Sequence, residues 1–195
     1  KKLKTFSIGL KGAEDLKYAR MVANHIDSEH HEVIVTEQEM ISSIPEVIKE
    51  IESMDTTTVR ASVPNYLVSK YIKEKTDCKV IFQGDGADEV CGSYIYLKNA
   101  PDATEFQNEC TSLLNNIHMY DVLRADRTIS CWGLEPRTPF LDKTFVKYYM
   151  SIYPTMKIHG YGNIEKYLLR KAFDDECLLP KEVLYRRKEA LSDGC

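Results

Sequence analysis

Two apolar runs, TFSIGL (Thr5–Leu10) and HEVIVT (His31–Thr36), flank a segment of helical periodicity, and this order constrains the fold more than any other feature. Val33, Ile34 and Val35 are too continuous for a strand with one wet face, so both runs read as buried strands. Between them Leu16, Ala19, Ala23 and Ile26 fall on one helical face, with Glu14 and Asp15 in the first turn. Strand, helix, strand in that order is a βαβ unit, which calls for parallel strands.

The next segment, TEQEMISSIPEVIKEIESM, reads as helix opened by a capping box at Thr36 and Glu39, with Pro45 expected to divide it. Ser62 is expected to cap a further helix that Pro64 begins. KVIF (Lys79–Phe82) follows as a third strand, wholly apolar and so expected at the centre of a parallel sheet. From about Pro101 onward helical patterns continue without a strand-like run. The chain therefore reads as an α/β part over residues 1–100 and a helical part over 101–195, with no internal repeat or low-complexity linker.

Composition narrows the function. A chain of 195 residues that is 43% hydrophobic can bury a real core. Its net charge of −4 argues against sequence-independent binding of a nucleic-acid backbone. No apolar run approaches the roughly 20 residues of a spanning helix. The opening KKLKTFSIGL has too few apolar residues for a secretory signal, so a cytoplasmic setting and no membrane association are expected. The six cysteines are scattered without a CxxC pair, which points to free thiols rather than disulfides or a metal centre. His30 and His31 are expected at an edge or the surface, with no chemistry.

The chemistry concentrates after the third strand, in QGDGADE (Gln83–Glu89). In open α/β sheets ligands bind beyond the carboxyl ends of parallel strands. Gly84 and Gly86 permit close backbone approach, and Asp85, Asp88 and Glu89 are hard oxygen donors. An acidic loop repels phosphate unless Mg²⁺ lies between them, so a metal-bridged nucleotide is the reading favoured here. An Asp-Gly turn with no ligand is the plainer alternative.

Four blocks together carry a family resemblance: IESMDTTTVRASVPNYLVSKYI, IFQGDGADEVCGSYIYLKNAP, MYDVLRADRTISCWGLEPRTPFLD and YRRKEALSDG. In this order they resemble the synthetase part of glutamine-dependent asparagine synthetases across essentially the whole chain. The resemblance implies an adenine nucleotide alpha hydrolase, or ATP-pyrophosphatase, type of parallel sheet with flanking helices, truncated at its N-terminus, plus a helical part. It implies a ligase that uses ATP and Mg²⁺ to activate aspartate as β-aspartyl-AMP, which ammonia derived from glutamine then converts to asparagine.

By that resemblance Ile8, Gln83 and Gly84 face the adenosine, and Asp88 helps hold Mg²⁺ and pyrophosphate. Thr57, Thr58 and Arg60 handle the substrate and its activated intermediate, while Lys188 neutralises charge at the transferring phosphorus. Asp85 serves when ammonia attacks, and Asp121 and Arg124 grip the amino acid. Read locally, Lys188 is a basic face beside Arg186 and Arg187, TTTVRAS is a helix start, and Asp121 with Arg124 is a helical ion pair.

Two departures fall inside the loop. The family pattern S-G-E-G-S-D-E here reads Q-G-D-G-A-D-E, so Gln83 replaces a serine and Asp85 a glutamate one methylene longer. The family's S-G-G-x-D-S pyrophosphate loop and N-terminal glutaminase part are not in these residues, so the chain alone is expected to lack turnover. A glutaminase domain is the partner expected in the parent protein; the oligomeric state, a homodimer included, stays open. An inactive remnant that binds nucleotide or acts as a scaffold is the alternative. A tRNA-thiolating or β-lactam-forming relative is disfavoured, the first by the absent CxxC and the second by TTTVRAS and RRKEALSDG.

Overall fold

In a computed structural model of the chain, residues 2–158, 164–175 and 177–194 are described. The strand β1 (Lys4–Leu10) runs parallel to β2 (Glu29–Val35), with Thr5 opposite His30 and Leu10 opposite Val35. Between them lies α1 (Glu14–His25), completing the expected βαβ unit. Ile8, Val33 and Val35 form one core, packed by Met40, Leu67, Val68 and Tyr71. Burial of β2 is one-sided at its end, because Ile34 is 50% exposed between the buried Val33 and Val35. The histidines sit within this pair. His30 is hydrogen-bonded to the hydroxyls of Thr5 and Ser7, and His31 stacks on Phe6.

The helix α2 (Glu37–Ile51) begins with the expected capping box: Glu39 N donates to Thr36 Oγ1, and Thr36 N donates to Glu39 Oε2 at 2.7 Å. Pro45 does not divide it. A proline forfeits one backbone bond, and here packing outweighs that loss, since Val47 and Ile51 are completely buried or nearly so against Val63. The helix α3 (Thr56–Lys75) likewise runs straight through Pro64. Its cap is Asp55, not Ser62, whose side chain is fully buried in mid-helix. An Asp seven residues earlier offers the free N–H groups a better acceptor, and the buried Val63 and Ile72 hold the longer helix in place.

The third strand, β3 (Val80–Phe82), is shorter and more exposed than expected. Val80 is 44% and Phe82 72% exposed, and among the described residues the strand's single hydrogen-bonded neighbour is β4 (Glu135–Arg137). It is therefore one member of a two-stranded pair rather than the centre of a sheet. The four strands described form two separate pairs. The strand β4 interrupts the helical half and was not expected there, because three residues with a central proline carry no strand signature. Its pairing to β3 is parallel: Glu135 N donates to Lys79 O at 2.7 Å and Gln83 N donates to Arg137 O at 3.0 Å. Pro136 falls between those bonds, at a position whose N–H would point to the opposite edge.

The remaining helices are α4 (Ala87–Cys91), α5 (Ala103–Asn116), α6 (Asp121–Ser130), α7 (Lys143–Ser151), α8 (Tyr167–Ala172), α9 (Lys181–Leu184) and α10 (Leu191–Gly194). The expected helix over residues 162–173 is described only from 164, and Cys195 also lies outside the described residues. Two compact units emerge, interleaved in sequence. The first holds residues up to Ile81, Arg124–Pro136 and Leu178 onward; the second holds Phe82–Leu123 and Arg137–Cys177. The second unit has its own core, built from Val90, Cys91 and Tyr149 and from Leu97, Phe106 and Cys110. Among the described residues no helix is long and apolar enough to cross a membrane.

Among the described residues Cys78, Cys91, Cys110 and Cys131 are free thiols. Burial raises Cys91 and Cys110 to a pKa of about 11. Both are therefore expected to escape a disulfide reagent at pH 8 until the protein unfolds, as a thiol count against time will show. Because the native state holds these protons more tightly than the unfolded chain, stability from this source is full below about pH 9. It falls as pH rises toward 11, and the melting temperature should follow.

Candidate functional site

The loop after β3 is held at both ends by backbone bonds and turned by glycine. Gln83 is tied to Arg137, and Ala87 N donates to Gly84 O. Gly86 adopts φ +90°, and a Cβ there would overlap the side chain of Leu141. Only glycine makes that turn with Leu141 so close. The chain then enters α4, whose first turn carries Asp88 and Glu89.

Asp88 is already engaged with a cation. Its Oδ1 lies 2.5 Å from Lys166 Nζ, in a pair whose side chains are 30% and 18% exposed. The hydroxyl of Ser93 donates to the same oxygen, and Ser93 N donates to Asp88 O at 2.9 Å. Glu89, only 4% exposed, accepts from Tyr94 Oη at 2.5 Å. That hydroxyl is also 3.1 Å from Asp121 Oδ2 at the start of α6. Tyr94 thus links two carboxylates with one proton donor and fixes Asp121 beside the helix that carries Asp88.

The structure therefore gathers Asp88, on the helix that the loop of Gln83, Gly84 and Asp85 leads into, and Asp121, at the start of α6, into one polar group of the second unit. Asp85 is half-buried and Gly84 exposed. The other candidates belong to the first unit, on separate elements. Ile8 is a core residue of β1, 5% exposed. Thr57 and Thr58 lie in the first turn of α3, where Thr58 donates through both N and Oγ1 to Asp55 Oδ2 at 2.8 Å. The helix-start reading thus accounts for Thr58 locally. Arg60 follows on the same helix, exposed. Arg124 lies one turn into α6.

Lys188 is half-buried on the irregular stretch after α9. Its neighbour Arg186 is committed elsewhere: it pairs with Asp15 Oδ1 at 2.6 Å and Glu189 Oε2 at 2.5 Å, and lies over the Tyr18 ring. The run of three basic residues is thus not a uniform solvated face.

Lys166, Ser93 and Tyr94 were not among the expected site residues. Ser93 and Tyr94 end the same conspicuous stretch and could have been found by extending the loop into its helix. Lys166 lies far along the chain in a helical pattern, where nothing local marks it.

Among the described residues no group of three or more His, Cys, Asp or Glu is disposed to hold a metal ion. A nucleotide-bound Mg²⁺ does not need one, since it is held by one or two carboxylates with the phosphates and water supplying the rest. Asp88 is a carboxylate that could serve in this way, and its Oδ1 is paired with the Lys166 ammonium.

A small parallel α/β framework and a glycine-turned acidic loop at the end of a strand define the class, and sequence comparison supplies the family. The asparagine synthase family model matches residues 1–108 and 98–195, and the chain belongs to that family. It is similar to the glutamine-hydrolysing asparagine synthetases of Gallus gallus (54% identical), Rattus norvegicus (53%) and Homo sapiens (52%), in each case over 192 residues and 98% of this chain. The chain spans about a third of the length of these relatives, 34% in each.

Proposed function

We propose that this chain forms part of the synthetase site of an enzyme that makes asparagine from aspartate, ATP and ammonia, the ammonia coming from glutamine in a separate glutaminase domain. The observation that carries the reading is Asp88, a cation-paired carboxylate beyond the glycine turn that ends β3. In this reading Asp88 would hold Mg²⁺, which would supply charge neutralisation at the phosphates of ATP. Gln83, Gly84 and the backbone at Ile8 receive the adenosine, in an adenine nucleotide alpha hydrolase type of sheet. Thr57, Thr58 and Arg60 orient aspartate and its adenylate, and Tyr94 holds Asp121 toward the amino acid, with Arg124 on the same helix.

Adenylation gathers negative charge on phosphoryl oxygens, and Lys188 is the cation assigned to it. Its half-buried placement supports a role beyond solvation. The free thiols and the 54% identity to a synthetase support a reducing, cytoplasmic setting. The full encoded polypeptide, given MgATP, aspartate and ammonia, should yield asparagine, AMP and pyrophosphate in equal amounts. ATP hydrolysis to ADP, or no aspartate-dependent product, would refute the assignment.

Asp85 favours a second reading, a remnant with impaired amination, because it reaches one methylene less far than the family's glutamate. A displacement of 1 Å costs on the order of 100-fold in rate. Asp85→Glu is accordingly expected to raise ammonia-dependent asparagine formation by up to about 100-fold while leaving adenylation unchanged. Equal rates for both versions would remove the idea that this position limits the reaction.

A further inference from the structure

We propose that Lys166 is a positioning residue that occupies the metal's place on Asp88 and is expelled when the metal arrives with a nucleotide. The inference rests on the reading of Asp88 as the metal-binding carboxylate and adds a residue that the reading did not contain. Lys166 Nζ lies 2.5 Å from Asp88 Oδ1, with Ser93 Oγ donating to the same oxygen. An ammonium and a divalent cation cannot share that oxygen closely, because like charges so near one another in a partly desolvated pocket repel strongly. The serine hydroxyl can turn aside; the ammonium must leave.

The backbone favours a built arrangement over a chance surface pair. Lys166 sits at φ 59°, the left-handed region that a lysine adopts at a cost of about 1 kcal/mol or more, immediately before α8. Arg170 holds that turn through two bonds: its N donates to Lys166 O at 2.9 Å, and its Nε donates to Glu165 O at 2.6 Å. The side chain is 18% exposed, well below what an idle surface lysine shows.

The consequence is a site that refuses a bare ion. A free divalent cation must displace Lys166 without bringing a group to receive the ammonium, whereas a cation arriving on a triphosphate brings anionic oxygens for it. If Asp88 is free of Lys166 in about one molecule in ten, the affinity for bare metal is lowered about tenfold, and removing the lysine restores it.

The test uses the full encoded polypeptide and Mn²⁺ as probe, with free Mn²⁺ followed by electron paramagnetic resonance, alone and with a non-hydrolysable ATP analogue. Lys166→Met is expected to tighten binding of Mn²⁺ alone by about tenfold and to shrink the enhancement by the analogue by a similar factor. Lys166→Arg, which keeps the charge, should behave as the wild type, and Asp88→Asn should abolish the tight site. Lys166→Asn, whose side chain tolerates left-handed backbone, replaces the methionine variant should that one not fold. Mn²⁺ binding unchanged or weakened by loss of Lys166 overturns the proposal while leaving Asp88 as the metal carboxylate. No Asp88-dependent Mn²⁺ binding in any form, with or without the analogue, overturns both.

Discussion

Replacing Lys188 by methionine in the full encoded polypeptide is expected to lower aspartate-dependent exchange between pyrophosphate and ATP by about 10²–10³-fold, with little change in ATP affinity. The reason is the direction in which charge moves. In the proposed reaction the ground-state triphosphate would already be neutralised by Mg²⁺ and solvent, so a further cation would contribute little to binding. As the aspartate carboxylate approaches and pyrophosphate departs, negative charge accumulates on oxygens that a fixed ammonium meets without reorganisation. Lys188 suits that role because it is half-buried, whereas Arg186 is committed to Asp15 and Glu189 and cannot substitute. Exchange kinetics over a range of ATP concentrations separate the cases. A raised KM at unchanged kcat would instead mark Lys188 as a residue of ground-state binding.

The largest expected effect on folding comes from Gly92→Ala. Gly92 ends α4 at φ +60°, and a Cβ there would overlap the Phe106 ring, lying 2.7 Å from Cε2 and 2.8 Å from Cys110 Sγ. Phe106 is fully buried and Cys110 nearly so, hence neither can withdraw. The left-handed backbone costs an alanine about 1–2 kcal/mol and the overpacking about 1–3 more, a large part of the 5–15 kcal/mol that stabilises a typical domain. The variant should lose most of its soluble yield, and any soluble fraction should unfold at a much lower urea concentration. Gly84→Ala is the control, since no atom lies within 4 Å of a Cβ there and its φ is ordinary. It should leave the urea midpoint nearly unchanged, and similar losses for the two variants would contradict the packing argument. The same collapse would carry Asp88 with it, because Ser93, the next residue, holds that carboxylate.

Much of the framework was legible in the residues. The βαβ order, the Thr36–Glu39 cap and the glycine-turned loop after β3 depend on neighbours close in sequence, so local pattern suffices. Features set by distant contacts were not legible. Helices α2 and α3 pass through Pro45 and Pro64 because Val47, Ile51 and Val63 bury one another. An apolar triplet such as VIF reads as a central strand, yet with one partner it leaves Phe82 largely exposed. At the site, the loop's donors were visible because they stand side by side, while Lys166 reaches Asp88 only through the fold. The position of Lys188 in a basic run hid the difference between its own placement and that of Arg186.

Under the proposed function Asp88 and Lys188 would serve one and the same adenylation step, and a double-mutant cycle on aspartate-dependent pyrophosphate–ATP exchange tests this most directly. Asp88→Asn, Lys188→Met and the double variant are compared in the full encoded polypeptide. Groups that stabilise one transition state act as a unit, so the double variant should be scarcely slower than the worse single one. Losses that multiply, or a Lys188→Met variant that exchanges at the wild-type rate, would contradict the account.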